Sequence, residues 1–120
     1  MNTKMRLPNA DKARVDRRKL TDYLLSETHP VGRFKAKFFA ELSFNQANPE
    51  QLEEQLLVIA RNEPVVEVVN SPFGTKYIVD GRISTPSGKE ALIRTIWLIE
   101  HGSDEPRFVT AYPASRKVKE

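Results

Sequence analysis

The sequence predicts an α+β fold in which N-terminal helices pack on one face of a four-stranded antiparallel sheet. Apolar residues recur with the helical period of 3.6 as far as residue 62, and beyond Pro64 they follow the strand period of 2. The strand-like segments succeed one another through short turns, which is the pattern of an antiparallel meander. A chain of 120 residues fits one domain over its whole length, with an ordered core over 7–112 and flexible ends at 1–6 and 114–120.

Helix caps and apolar spacing predict the first and third helices. The first spans 17–26 behind a capping Asp16, and the third spans 49–62 behind a capping arrangement of Asn48 and Gln51. Residues three or four positions apart share one face of a helix, so the apolar residues at this spacing are expected to face the core. They are Leu20, Tyr23 and Leu24 in the first helix, and Leu52, Leu56, Ile59 and Ala60 in the third.

The second helix is expected to begin near Pro30, because the missing N–H of proline costs nothing at the first helical position. His29 then lies at the cap of this helix. The spacing puts Arg33 and Lys37 on the solvated side. Lys35 falls at the margin of the apolar face, where its ammonium group either extends to water or points into a cleft. The predicted core stripe of this helix is Val31, Phe34, Phe38 and Leu42.

Four strands are predicted to follow Pro64. The third has apolar residues on both faces, as expected of a central strand, and Arg94 is the only charged residue inside it. An arginine there needs a buried carboxylate, a bound phosphate or an open sheet face, and an ion pair with Asp80 of the neighbouring strand is an equal alternative. Trp97 is expected in the core. The strands are predicted at 65–69, 76–83, 90–99 and 107–112, with turns at 70–74 and 85–88 and a loop at 101–106.

The composition excludes several classes of function. The chain has no cysteine, which removes thiolate catalysis, iron–sulfur clusters and cysteine zinc sites. No apolar run approaches the ~20 residues of a membrane helix, and the N-terminus lacks the apolar core of a signal peptide, so a cytoplasmic protein without membrane contact is expected. H-E-x-x-H and phosphate-loop motifs are also missing, so neither a metal nor a cofactor is expected. The net charge of +3 favours RNA, DNA or an acidic protein as the partner.

The remaining chemistry is metal-free acid and base catalysis on a phosphodiester. Such cleavage needs a base for the ribose 2′-OH, an acid for the departing 5′-oxygen, and cations around the phosphorane. Ordinary structural roles stay open for the same residue types: a helix cap for the histidine, a solvated helix face for the exposed cations, and strand propensity for the threonine and tyrosine. The candidate catalytic residues are His29, Lys35, Arg94, Thr110 and Tyr112, and the candidate RNA contacts are Arg33 and Lys37.

Four segments of the sequence match a pattern of known proteins. They are L-P-N-A-D-K-A at 7–13, R-K-L-T-D-Y-L-L-S-E-T-H-P-V-G-R-F-K-A-K-F-F-A-E-L at 18–42, R-T-I-W at 94–97 and P-R-F-V-T-A-Y at 106–112. They resemble a bacterial domain of unknown function that occurs as small stand-alone proteins and at the C-termini of polymorphic toxins. That domain is similar to the barnase, EndoU, colicin and RelE-like (BECR) ribonucleases, which place helices before a four-stranded antiparallel sheet and cleave RNA without a metal. The motif positions are His29, Pro30, Gly32, Lys35, Ala36, Phe38, Phe39, Arg94, Trp97, Thr110 and Tyr112.

The resemblance and the residue chemistry together predict a metal-independent endoribonuclease, a toxin that cleaves tRNA or mRNA by attack of the 2′-OH. In this scheme His29 acts as base or acid, while Lys35 and Arg94 stabilise the phosphorane. Thr110 or Tyr112 positions the phosphate. The expected partners are RNA and a small acidic antitoxin protein, whose charge complements that of the toxin. Two alternatives stay open: a non-catalytic RNA- or protein-binding module, and the antitoxin or immunity partner of a toxin.

Overall fold

Helices precede the sheet in the computed structural model, which describes residues 5–85 and 88–114 and confirms the α+β fold class. The expectations for the two chain ends and for the turn at 85–88 lie wholly or partly outside those residues. The elements are a 3₁₀ turn, Ala10–Lys12; α1, Arg17–Lys19, which continues as a π-helical turn, Leu20–Leu24; α2, Gly32–Glu41; α3, Pro49–Asn62; β1, Val65–Ser71; β2, Gly74–Ser84; β3, Glu90–Glu100; and β4, Arg107–Pro113.

The four strands form one antiparallel sheet in the order β1-β2-β3-β4. Because side chains alternate across a strand, one face of the sheet carries the apolar residues that join the helices in the core. Trp97 is fully buried there, as predicted, and its indole N–H donates to the hydroxyl of Thr95 at 2.8 Å. The other large buried side chains of this face are Val79, Ile83, Ile93 and Phe108.

The second face of the sheet is partly exposed and carries the polar candidate residues. Arg94 of β3 pairs with Asp80 of β2 on one side and with Tyr112 of β4 on the other. Thr110 lies on the same face, as its predicted alternation with Tyr112 requires. A register shift beside Thr110 puts a bulge in β4. Residues two positions apart in a regular strand share a face, but the bulge lets Phe108 face the core while Thr110 lies on the second face.

α3 lies over the sheet, as the sequence predicts. It spans the predicted 49–62, and its predicted core residues are all buried. The predicted pairing of Asn48 with Gln51 is present, because the Asn48 amide donates to the Gln51 side-chain oxygen at 3.3 Å, but the Asn48 side chain accepts no hydrogen bond from the helix. Its Oδ1 accepts the backbone N–H of Asn45 at 2.8 Å, and its amide donates to the carbonyl of Ser43 at 2.9 Å. Asn48 therefore links the turn before α3 to the first turn of the helix.

The buried face of α2 differs from the prediction. Gly32, Ala36 and Phe39 face the core, whereas Phe34 is 67% exposed and Val31 is 55% exposed, so their prediction as core residues is wrong. The reason is the main neighbour of α2, which is the π-helical turn. Small residues are buried where two backbones approach closely. The other two members of the predicted stripe, Phe38 and Leu42, do contact the core.

The first helix is shorter than predicted and changes its type. The α-helical geometry covers only Arg17–Lys19, although the cap is confirmed, because the carboxylate of Asp16 accepts the Arg18 N–H at 3.0 Å. The chain then widens into the π-helical turn. Gln46 stabilises this turn, because its side-chain amide donates hydrogen bonds to two backbone carbonyl groups. One lies within the turn, at 2.6 Å, and the other lies just after it, at 3.0 Å. Leu20 and Leu24 are buried, as predicted, while Tyr23 beside them is half-buried.

Candidate functional site

Three side chains from separate elements meet at the β4 edge of the sheet. The ammonium group of Lys35 donates to the phenol oxygen of Tyr23 at 2.7 Å and to the hydroxyl oxygen of Thr110 at 3.3 Å. The two hydroxyl oxygens lie 3.4 Å apart. Within residues 5–85 and 88–114, no carboxylate forms a salt bridge with Lys35. We call Tyr23, Lys35 and Thr110 the hydroxyl–lysine cluster.

Close packing of α2 on the π-helical turn positions Lys35. A β-carbon at Gly32 would overlap the backbone carbonyl oxygen of Tyr23 and would lie 3.1 Å from its ring. Only glycine permits this approach, so the first turn of α2 rests on the Tyr23 backbone. Lys35 follows one turn later and reaches the phenol. Of the two predicted positions of its ammonium group, water or cleft, the structure shows the inward one.

Cations surround the Tyr23 phenol. The Nζ atom of Lys35 lies 5.2 Å from the centre of the Tyr23 ring, and Nζ of Lys19 lies 5.7 Å from it. Burial raises the pKa of the Tyr23 phenol, but its hydrogen bonds with Lys35 and Thr110 and the charges of both lysines outweigh burial, so the pKa lies below its ordinary value. Lys35 Nζ also lies 5.8 Å from the centre of the Tyr112 ring. The cluster therefore favours negative charge, either on the phenol oxygen or on a bound anion.

Arg94 forms a bidentate ion pair with Asp80. Its Nε and Nη2 donate to the two carboxylate oxygens at 2.8 and 2.9 Å. Hydrogen bonding of the guanidinium to Asp80 is the main reason why the pKa of Arg94 lies above its ordinary value. The ion pair that the sequence left as an alternative is therefore present. The Arg94 side chain stays 34% exposed, and Tyr112 lies between it and the hydroxyl–lysine cluster.

His29 caps α2 through its side chain. Its Nδ1 accepts the backbone N–H groups of Gly32 at 2.9 Å and Val31 at 3.0 Å, which confirms the predicted cap, although α2 begins at Gly32 rather than Pro30. Because Nδ1 is an acceptor in both bonds, the neutral imidazole carries its proton on Nε2. The ring packs edge-to-face on Tyr23, with 5.0 Å between ring centres. His29 therefore borders the cluster and presents a donor rather than an acceptor to a ligand.

Arg33 and Lys37 lie away from the cluster, on the other side of α2. Both are exposed, as predicted. The guanidinium of Arg33 lies over the ring of Phe34, 4.6 Å from its centre. The two cations border a groove of about 480 Å³, which is also lined by Glu27, Phe34, Ala36 and Ala40. They therefore form a second surface, separate from the one that carries Lys35.

Sequence reasoning did not identify Tyr23 as a functional residue, because its spacing assigned it to the core face of the first helix. A signal was present in the chemistry: a buried tyrosine needs a partner for its hydroxyl group, and Lys35 was the cation at the margin of an apolar face. The structure brings these two together. Of the predicted site residues, Lys35, Thr110 and Tyr112 lie side by side, whereas His29 and Arg94 lie at the borders of this group and Arg33 and Lys37 lie outside it.

The donors in the cluster, an ammonium group and two hydroxyl groups, suit an anion rather than a metal ion. In the part of the chain that the structure describes, no group of three or more histidine, aspartate or glutamate side chains is arranged to hold a metal. No helix in residues 5–85 and 88–114 is long and apolar enough to cross a membrane.

Known proteins share the sequence pattern and the fold of this chain. The family model of the domain of unknown function DUF6883 matches residues 6–115. The chain belongs to this family. It is also similar in structure to a chain of a contact-dependent growth inhibition toxin–immunity protein complex from Klebsiella pneumoniae 342, with a TM-score of 0.66 and 19% sequence identity over 88% of this chain and 97% of that chain. A search of curated proteins found no match.

These findings confirm the coarser part of the predicted resemblance. The DUF6883 chain is a member of a domain family of unknown function, and it shares its fold with a protein of a toxin–immunity complex. At 19% identity the likeness concerns the fold alone.

Proposed function

We propose that this DUF6883 chain is an RNA-cleaving toxin of a toxin–immunity system, with a BECR-like active site at the hydroxyl–lysine cluster. The reaction is attack of a ribose 2′-OH on the adjacent phosphorus, which yields a 2′,3′-cyclic phosphate without a metal. One observation carries the proposal: the ammonium group of Lys35 is held between two hydroxyl groups at a partly exposed sheet edge, with no carboxylate partner in the described residues. A phosphorane is the dianion that such donors stabilise.

Each neighbour of the cluster has a role in this proposal. Lys35 and Thr110 bind the scissile phosphate. Tyr112 lies on the same face of β4 as Thr110 and positions the phosphate from there. Arg94, oriented by Asp80, faces a flanking phosphate with the part of its guanidinium that the ion pair leaves free. The remaining predicted residues, His29 through its Nε2–H and Arg33 and Lys37 through their charges, contact the RNA on either side of the cut.

The toxin role is favoured over the immunity role by the charge of the site. The Klebsiella protein is part of a toxin–immunity complex, and its similarity supports membership of such a system for this chain. Phosphate-binding chemistry belongs on the side of the pair that meets RNA. In this proposal the substrate is tRNA or mRNA in the cytoplasm, and the protein partner is a small acidic immunity protein that complements the positive net charge of +3.

The test is cleavage of total tRNA and of a mixed mRNA by the purified chain in the presence of EDTA. We expect fragments that end in a 2′,3′-cyclic phosphate. Lys35→Met should lower the rate by about 10²–10³-fold, because it removes the charge closest to the phosphorane. The comparison variant is Lys37→Met, which removes an outer RNA contact rather than the charge at the phosphorane, and it should lower the rate by less than about threefold through weaker RNA binding.

Two outcomes count against a nuclease active site at the hydroxyl–lysine cluster. One is the absence of cleavage of either RNA at micromolar protein. The other is cleavage that Lys35→Met and Lys37→Met reduce equally, since this places the activity outside the cluster.

A second candidate function, a non-catalytic protein-binding module, is favoured by the groove beside α2. The exposed ring of Phe34 lies there between two cations, which suits an acidic protein segment with an apolar anchor. This candidate predicts that binding of an acidic partner is lost in Phe34→Ala and kept in Lys35→Met. The nuclease proposal gains if RNA cleavage shows the reverse pattern.

A further inference from the structure

We infer that Tyr23 is the general acid of the proposed cleavage, the residue that gives its phenolic proton to the departing 5′-oxygen. The inference rests on the proposed function, and it assigns the acid step to a residue that no family motif or sequence spacing identified. The assignment comes from the direction of the hydrogen bonds in the hydroxyl–lysine cluster.

The hydrogen bond from Lys35 leaves Tyr23 as a proton donor. An ammonium group has three N–H bonds and no acceptor, so at 2.7 Å it must donate to the phenol oxygen. The O–H bond of Tyr23 therefore points elsewhere. The nearest described acceptor for it is the Thr110 hydroxyl at 3.4 Å, a long contact for two oxygen atoms in which either group can be the donor. A substrate oxygen can replace this weak acceptor while the bond from Lys35 stays in place.

The same contact makes the phenol a stronger acid. A cation on the phenol oxygen stabilises the tyrosinate that remains after the proton leaves, and Lys19 adds a second positive charge on the ring side. The pKa of Tyr23 accordingly lies below its ordinary value despite the opposing effect of burial. General acids work best when their pKa approaches the operating pH, so this direction favours donation.

The two groups at the borders of the cluster, His29 and Arg94, are engaged in different contacts. His29 uses Nδ1 to hold the first turn of α2, and Arg94 is paired with Asp80. Lys35 must remain an ammonium group if it is to neutralise the phosphorane. Tyr23 is thus the group in the cluster that has a proton to give and a cation to stabilise what is left.

The step balances with water as the base. The 2′-oxygen forms its bond to phosphorus as its proton passes to solvent water. The bond between phosphorus and the 5′-oxygen breaks, and the electron pair stays on the 5′-oxygen. That oxygen takes the Tyr23 proton and leaves as a 5′-hydroxyl group. The tyrosinate, held by Lys35, then recovers a proton from solvent, so the enzyme returns to its starting state.

The experiment compares two RNA oligonucleotides that differ in one atom. One has the natural 5′-oxygen at the scissile bond, and the other has a bridging 5′-sulfur, a leaving group that needs no protonation. Tyr23→Phe keeps the ring and removes only the hydroxyl group. We expect it to lower the rate on the oxygen substrate by about 10²–10³-fold and on the sulfur substrate by less than about threefold. The matched control is Tyr77→Phe, a half-buried tyrosine on β2 outside the cluster, which should leave both rates unchanged.

The wild-type pH profile gives a second measurement that does not depend on the variant. The acid must carry its proton, so the rate on the oxygen substrate should fall as the pH rises through the Tyr23 pKa, and the fall should begin below pH 10. The sulfur substrate should show no such limb.

The outcomes separate this inference from the proposed function. If the wild type cleaves the oxygen substrate and folded Tyr23→Phe loses equally on both substrates, or loses nothing, Tyr23 is not the acid while the nuclease proposal stands. A descending limb shared by both substrates in the wild type has the same meaning. If the wild type cleaves neither substrate, the nuclease proposal itself fails, and the role of Tyr23 fails with it.

Discussion

α3 covers the sheet with its apolar face, whereas α2 exposes one of its aromatic residues, Phe34, to solvent. The buried residues of α3 lie over β2, and the polar ones face water. α2 packs instead on the π-helical turn, burying Gly32, Ala36 and Phe39 while Phe34 stays 67% exposed. The two helices thus differ, because α3 packs through apolar side chains, whereas the first turn of α2 packs on a backbone.

The orientation of α2 on the π-helical turn has a chemical consequence. Full burial of a phenylalanine side chain stabilises a protein by about 1.5–3 kcal/mol, and α2 does not gain this at Phe34. The same orientation of α2 places the Lys35 ammonium group beside the hydroxyl groups of Tyr23 and Thr110. A local departure from apolar patterning that assembles a cation and two hydroxyl groups is typical of a functional site. α3 shows no such departure, and we assign it a structural role only.

The largest predicted effect tests which face of α2 is buried. Phe39→Ala should lower the free energy of unfolding by about 3–5 kcal/mol, because it leaves a cavity at a fully buried site. Phe34→Ala, on the same helix, should change it by less than about 0.5 kcal/mol. Denaturant unfolding measures both. A loss in Phe34→Ala that equals or exceeds the loss in Phe39→Ala would contradict this burial pattern of α2.

A smaller effect is expected at the backbone contact of α2. Gly32→Ala should destabilise the fold by about 1–3 kcal/mol, because the new methyl group overlaps the Tyr23 carbonyl oxygen. Alanine is otherwise the better helix former, by about 1 kcal/mol. The control is Ala40→Gly on the exposed side of α2, which reports propensity alone and should cost about that amount. If Gly32→Ala stabilises the protein, the close approach of the two backbones is wrong.

The comparison also shows what a single sequence encodes. The bounds and buried face of α3, the burial of Trp97 and the shared face of Thr110 and Tyr112 follow from local periodicity, and they were predicted correctly. The face of α2 was not, because apolar spacing gives glycine no weight, although a missing side chain decides this contact. Tyr23 was missed because its partners lie 12 and 87 residues away along the chain, and no spacing rule connects them.

The cap of α2 offers a third test of this helix. His29→Ala should lower the free energy of unfolding by about 1 kcal/mol, since two backbone N–H groups at the start of α2 lose their acceptor. His29→Asn restores a side-chain acceptor of suitable length and should recover most of that loss. Thermal or denaturant unfolding of the pair distinguishes the cap from general packing of the ring against Tyr23. Equal destabilisation by alanine and asparagine would show that the ring contact, and not the cap, matters.

The smallest effect on stability, and the most direct measure of the site, comes from the lysines on the two sides of α2. Lys35→Met should change the free energy of unfolding by less than about 1 kcal/mol, because a partly exposed ammonium group exchanges its hydrogen bonds for those of water.

The pKa of Tyr23 should nevertheless rise in Lys35→Met. Burial acts to raise this pKa, and the variant removes the hydrogen bond and the charge of Lys35, which oppose burial. Lys37→Met should leave this pKa unchanged, since Lys37 lies in the groove on the other side of the helix. Titration of the tyrosine ring carbons by NMR measures the pKa in all three proteins. A Tyr23 pKa that does not respond to Lys35→Met would show that α2 places no functional cation at the sheet edge, and the contrast between its two sides would then be one of packing alone.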